Sequence, residues 1–203
     1  MSIASYSELK TAVANWLNRS DLTSYVPDFI ALGEARIYRE IRIRTMEASL
    51  SSAISSGVVA VPNDYVELKY AYVDGSPTRQ LLRATPDFIY ANYPTRSATS
   101  KPSYIARESS NFIFGPYPDS AYTIKGIYYK RLTALSDSNT TNWFTTNAPG
   151  ILLWAALCEA EPFLKNDARI QLWQAKYEME KEGIEREERN EQFSGGGMAI
   201  SVR

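Results

Sequence analysis

Histidine is absent from this chain of 203 residues, and cysteine occurs once, at Cys158. Without histidine, a serine or cysteine nucleophile has no imidazole to take its proton, and no G-x-S-x-G turn is present either. One cysteine excludes an intrachain disulfide and any Cys-rich zinc knuckle. Set within W-A-A-L-C-E-A, it reads as a small buried apolar residue. No apolar run approaches the roughly 20 residues that span a bilayer, so no membrane partner is expected. The net charge is −1, and no overall basic excess marks a free nucleic-acid binder. The N-terminus, M-S-I-A-S-Y-S-E-L-K, is too polar for a signal peptide, which reads as a soluble product of a reducing compartment.

What is present is packing chemistry. The 44% hydrophobic and 22% charged content is ordinary for a globular chain, long enough for one domain or a domain with a subdomain. Such a chain can remove roughly 70% of its unfolded surface from water. Fourteen tyrosines raise the aromatic share to 12%. Each suits either a partly wet interface or a β-strand, and composition leaves both readings open. The stretch N-W-F-T-T-N-A-P-G-I-L-L-W-A-A-L-C-E-A-E-P-F-L-K-N-D-A-R-I-Q-L-W-Q-A-K-Y is almost wholly apolar, small or capping. That favours an assembly part over an enzyme.

Period divides the chain into three. Leu9, Val13, Trp16 and Leu17 recur at helical intervals, with Ser7 as the expected N-cap. A second helix starts between Ser24 and Asp28, with Pro27 in its first turn and Phe29, Ile30, Leu32, Ile37 and Ile41 as its apolar side. From residue 46 the period becomes two. Met46, Ala48 and Leu50 alternate, Ser55-Ser56-Gly57 turns the chain, and Val66, Leu68, Tyr70 and Tyr72 alternate again before an Asp74-Gly75 hairpin. A strand follows at 78–83, then a short helix opening at Thr85-Pro86, then strands at 103–107, 111–114 and 122–131. A polar loop is expected from Leu135 to Thr146. Asn147 would cap a helix that Pro162 ends or kinks, and Asn166-Asp167 would cap the last helix, which stops at Gly195-Gly196-Gly197. The expected fold class is α+β: a helical bundle from the N- and C-terminal helices, with a β-rich, sandwich- or barrel-like insertion in the middle. Its bounds are 1–45 with 133–192 for the bundle, 46–132 for the insertion, and 193–203 for a flexible tail.

The candidates for chemistry are thin. Asp137 to Asn142 offers oxygen ligands but lacks the glycine and terminal glutamate of a calcium loop. Glu159 and Glu161 stand two apart on a helix and face different directions, unsuited to flank one bond. The triple glycine follows a helix and has no lysine of a phosphate loop. No catalytic residue, metal or cofactor is expected. Two charge patterns remain. Arg36, Arg39, Arg42 and Arg44 load the second helix and its exit, whereas from Glu178 to Glu191 acidic residues outnumber basic ones seven to three. Either pattern can be a solvated face. Together, between neighbouring copies, they offer a head-to-tail contact in which Glu185, Glu187 and Glu188 meet the arginines, or the arginines meet passing DNA.

Several blocks resemble the head-to-tail adaptor (connector) proteins of tailed bacteriophages. They are Y-S-E-L-K-T-A-V-A-N-W-L-N-R-S-D-L-T, V-P-D-F-I-A-L-G-E-A-R-I-Y-R-E-I-R-I-R-T-M-E, V-P-N-D-Y-V-E-L-K, F-I-F-G-P-Y-P and, most specifically, L-L-W-A-A-L-C-E-A-E-P-F-L-K-N-D-A-R-I-Q-L-W-Q-A-K-Y. The resemblance covers most of the chain. It implies a virion protein of the neck, made in the host cytoplasm: a homo-oligomeric ring of twelve copies under the portal protein. The ring would join capsid to tail and nozzle proteins, with genomic DNA passing through its channel. It also implies a portal-docking role for the tail, through Phe193, Met198, Ile200, Val202 and Arg203. A tail-tube or tail-completion protein is the alternative that composition does not separate. A carboxylate-dependent cell-wall hydrolase is the rival from another class, requiring two carboxyls about 5 to 9.5 Å apart in a cleft.

Overall fold

A period near 3.6 at both ends of the sequence and a period of two between them produce two units, Met1–Thr45 with Leu132–Arg203, and Met46–Arg131. The fold is α+β as the periods predict, with terminal helices and a β-rich middle. The structure is a computed structural model, and it describes residues 3–97, 99–164 and 168–193.

The helical unit opens with α1 (Tyr6–Leu17). Its cap is Ser5 and not Ser7: Ser5 is extended, and its hydroxyl accepts from the Glu8 N–H at 3.3 Å. The Glu8 carboxylate reaches back to the Ala4 N–H at 2.6 Å, so the expected cap is displaced by a pairing that starts two residues earlier. The helix ends at Asn18 in the left-handed region. The next helix, α2 (Val26–Glu40), has Pro27 in its first turn as expected, where a missing N–H is harmless. Val26, Phe29, Ile30, Gly33 and Ile37 face inward. Leu32 does not: it is 52% exposed, because two residues beyond Ile30 lies on the opposite side of a helix.

The expected polar loop at 135–146 contains a short helix, α4 (Trp143–Asn147). Asn142 caps it, accepting from the Thr145 N–H at 3.1 Å while the Thr145 hydroxyl accepts from the Asn142 N–H at 2.9 Å. Asn147 is therefore the last residue of that helix, not a cap. The following α5 (Pro149–Glu159) begins at Ala148 with no side-chain cap. It buries Ile151, Leu152, Leu153, Ala155, Ala156, Leu157 and Cys158. A helix apolar nearly all round must lie inside, and α5 packs against α1, α2 and α4 and against α6 (Arg169–Phe193). A short 3₁₀ turn at Glu161–Phe163 separates α5 from α6, consistent with Pro162 ending the regular helix. Trp173, Tyr177 and Ile184 are the buried stripe of α6. The expected cap at Asn166-Asp167, the glycine stop at 195–197 and the tail residues Met198, Ile200, Val202 and Arg203 lie outside the described residues.

The β unit comprises β1 (Glu47–Ala53), β2 (Val58–Ala60), β3 (Tyr65–Val73), β4 (Arg79–Arg83), α3 (Pro86–Asn92), β5 (Tyr104–Glu108), β6 (Asn111–Gly115) and β7 (Thr123–Lys130). They form one sheet in the order β1-β7-β3-β4-β5-β6-β2. Its two outer strands are consecutive in sequence and joined by Ser56 and Gly57, both at positive φ, with Ser55 bridged to Val58. The sheet therefore curls almost to closure and brings its two edge strands, β1 and the short β2, close together. Pairs are antiparallel except β4–β5, which is parallel because α3 carries the chain across. Leu50, Val59, Leu68, Val73, Phe112 and Ile124 are among the residues that fill the interior.

One alternation breaks. Leu68, Ala71 and Val73 are buried on β3, while Tyr70 is 45% exposed and so leaves the expected face. A register shift against β7 between Leu68 and Tyr70 inserts an extra residue and flips the phase. Gly126 on β7 sits at this bulge, and a Cβ there would run into the Tyr70 carbonyl oxygen.

Candidate interaction surface of the helical unit

Two charged constellations determine which faces of the helical unit are occupied by its own chain. The first surrounds Glu34, which sequence patterning did not single out. It lies on the inward side of α2 and is 3% exposed. Its carboxylate accepts from the Leu135 N–H at 3.0 and 3.3 Å, from Asn142 Nδ2 at 3.0 Å and from the Tyr38 hydroxyl at 3.4 Å. Burial pushes the carboxyl above its ordinary range, against the downward pull of these three donors. Glu34 thus ties the 132–142 segment and the cap of α4 to α2.

The second constellation uses an arginine expected on the outer surface. Arg36 is instead half-buried where α2, α5 and α6 meet. Its guanidinium donates to Glu40 and to Gln174 Oε1, both at 3.1 Å, and lies 4.0 Å from Glu159 and 3.8 Å from Glu178. It stacks 4.2 Å from the centroid of the Tyr177 ring. Glu40 in turn accepts from Lys181 at 2.8 Å and from the Tyr177 hydroxyl at 3.1 Å. Burial would raise Glu40, but the bonds from Lys181, Arg36 and Tyr177 outweigh it and hold the carboxyl below its ordinary range. Burial and the nearby Glu40 push the Tyr177 hydroxyl well up. The arginine leaves the solvated face because three helices converge on it, a fact that no single-helix pattern contains.

The remaining arginines divide. Arg42 is half-buried and donates to the Tyr38 and Ile41 carbonyls at 2.8 Å each, satisfying the C-terminal end of α2. Arg44 lines an open groove of about 440 Å³ together with Trp143, Asn147, Ile184, Glu188 and Glu191, and Glu187 stands at the same groove. Its backbone N–H donates to Glu188 at 3.0 Å, and its guanidinium is 3.7 Å from Glu191. The expected attraction between these arginines and the acidic helix is thus met within one chain at Arg44. Arg39 is exposed and makes no hydrogen bond or ion pair with any described residue, and the same holds for Glu187. Glu185 is half-exposed. Phe193 ends α6, and the rest of the expected portal-docking tail falls outside the described residues.

Among the described residues, no group of three or more His, Cys, Asp or Glu is placed to hold a metal ion, and no helix is long and apolar enough to cross a membrane. Cys158 is buried, and its thiol is pushed up to about 11 by burial, with Arg36 pulling the other way. A thiol raised by about two units carries roughly a hundredfold less thiolate near neutral pH. Alkylation of Cys158 in the folded protein is therefore expected to be at least about a hundredfold slower than in denaturant, as read by thiol-reagent kinetics at pH 8. Equal rates would contradict this placement.

A family model described as SU10 adaptor protein matches residues 4–199. The chain belongs to that family. It is a phage adaptor protein, and with that a component of the virion. No curated protein matches it. The match spans both units of the adaptor, so the barrel-like insertion belongs to it as much as the helices do. Within the helical unit of the adaptor, Asp28, Arg39, Lys176 and Glu187 are exposed charges without a hydrogen bond or ion pair to any described residue.

Proposed function

We propose that this adaptor is a non-enzymatic structural part of the phage neck. It forms a ring under the portal, joins capsid to tail, and lets the genome pass through its lumen. The family match over residues 4–199 carries this reading. The side-chain chemistry agrees with it: the buried Glu34, the half-buried Arg36 and Lys181, and Glu40 between them are engaged in bonds that fix one element on another. Charges held in this way position a scaffold and are not poised to exchange protons with a substrate. Portal and tail proteins are the partners this role requires, and the ring is a homo-oligomer built from heterologous contacts.

The test is to mix the purified adaptor with purified portal protein and weigh the product by native mass spectrometry. A complex holding many adaptor copies per portal ring is the expected result. An adaptor that stays unbound, and that is located in particles only away from the portal vertex, would overturn this role.

A further inference from the structure

Two outward helix stripes of the helical unit carry matched, opposite patterns. On α2, Asp28, Leu32, Ala35 and Arg39 fall at offsets of 0, 4, 7 and 11, which is one face of a helix, and all four are exposed. On α6, Lys176, Met179, Gly183 and Glu187 fall at 0, 3, 7 and 11, again one face and all exposed. Each stripe is roughly 16 Å long. Laid parallel, they oppose Asp28 to Lys176 and Arg39 to Glu187, so both ends attract; antiparallel, each end would meet like charge. Between the ends, Leu32 and Met179 are large exposed apolar residues, the latter at 63%. One step further, Ala35 faces Gly183, where a Cβ would meet nothing within 4 Å. Small residues at that position let two helix backbones approach closely.

The two stripes of a single copy cannot meet each other. The sides of α2 and α6 that face one another within one chain are already joined through Arg36, Glu40, Tyr177 and Lys181. The surface that each stripe matches in charge and spacing is the other stripe on a second copy.

We infer that neighbouring copies in the ring join by packing the outward stripe of α2 of one copy, parallel, against the outward stripe of α6 of the next. This rests on the ring reading above and specifies its interface. The contact is head-to-tail, so it propagates around a closed ring.

Cross-linking tests it in assembled phage particles. A chain carrying both Ala35→Cys and Gly183→Cys is expected to give, after oxidation, a ladder of covalent multimers on a non-reducing gel. Either change alone gives no ladder, and the buried Cys158 does not join in. Variant chains present in particles at full complement but giving no ladder would overturn the pairing while leaving the adaptor role intact. Charge exchange is the second arm. Arg39→Glu, a change at an exposed residue with no hydrogen bond or ion pair among the described residues, is expected to lower incorporation by about tenfold or more, because like charges then face each other, with only the small loss of thermal stability that a charge reversal in the last turn of α2 brings. Adding Glu187→Arg in the same chain restores incorporation. No loss with the first change, or no recovery with the second, would also overturn the pairing. Wild-type chain missing from the particles altogether would remove the ring reading and this interface with it.

Discussion

Gly33→Ala is expected to destabilise the helical unit by about 2 kcal/mol, although alanine is the better helix former by about 1 kcal/mol. A Cβ at Gly33 would stand 2.9 Å from the Ala156 nitrogen and 3.1 Å from the Ala155 carbonyl carbon and Cβ. Two of these neighbours are backbone, so no rotamer relieves the clash and α2 must move away from α5. That separation loosens the contact on which the central helix depends. All four tryptophans, Trp16, Trp143, Trp154 and Trp173, belong to the helical unit, so urea unfolding followed by tryptophan fluorescence reports on it directly. The expected signature is a lower midpoint at unchanged slope. Gly183→Ala is the control: with nothing near its Cβ, it should raise the midpoint by up to about 1 kcal/mol of stability. If both changes stabilise, the close crossing at Gly33 is wrong.

The second large effect belongs to Glu34. Replacing it by alanine removes the acceptor for the buried Leu135 N–H and the half-buried Asn142 Nδ2, which is expected to cost about 3 kcal/mol. Glu34→Gln keeps one acceptor oxygen and fills the same space, so its cost is expected to be about 1 kcal/mol. The pH dependence has a definite sign. The folded carboxyl titrates above the ordinary 4.5, so the folded chain holds the proton more tightly than the unfolded chain does. Stability from this group is full below pH 4.5 and declines as pH rises through the raised folded value. Glutamine cannot titrate, so in the glutamine variant this decline should disappear when urea midpoints are compared across the acid range. A wild-type midpoint that instead rises through that window because of Glu34 would show that the three donors outweigh burial.

Most of the local architecture is legible in the sequence. The strand at 122–131 follows from alternation, because a strand with one buried face must alternate, whereas those at 103–107 and 111–114 are short apolar runs bounded by turn residues, and Phe112, Ile113 and Phe114 are buried in succession. Val26–Glu40 follows from helical spacing and a proline in its first turn. The departures have local causes. At α4 the cap pairs Asn142 with Thr145 over only five helical residues, too few for a period to show. On β3 one inserted residue reversed the faces, so Tyr70 moved outward while Ala71 moved in.

The charged sites were far less legible. Glu34 looks like any surface glutamate of an amphipathic helix, yet its partners Leu135 and Asn142 lie 101 and 108 residues away. Arg36 belonged to a run of arginines that reads as one surface, and its partner Gln174 is 138 residues distant. Sequence periodicity reports which face of an element turns inward. It does not report which distant element that face meets.

The residue pattern alone determined the α+β class, the order of the elements, the want of a histidine base and the resemblance to phage adaptors, because periodicity, composition and motif are properties of the chain itself. Only the tertiary structure decided which charges are used up inside one copy and which stay free. Among the described residues Arg36, Arg42 and Arg44 are engaged and Arg39 is not, since engagement depends on where each side chain falls: Arg36 at the convergence of three helices, Arg42 over the end of its own helix, Arg44 beside α6.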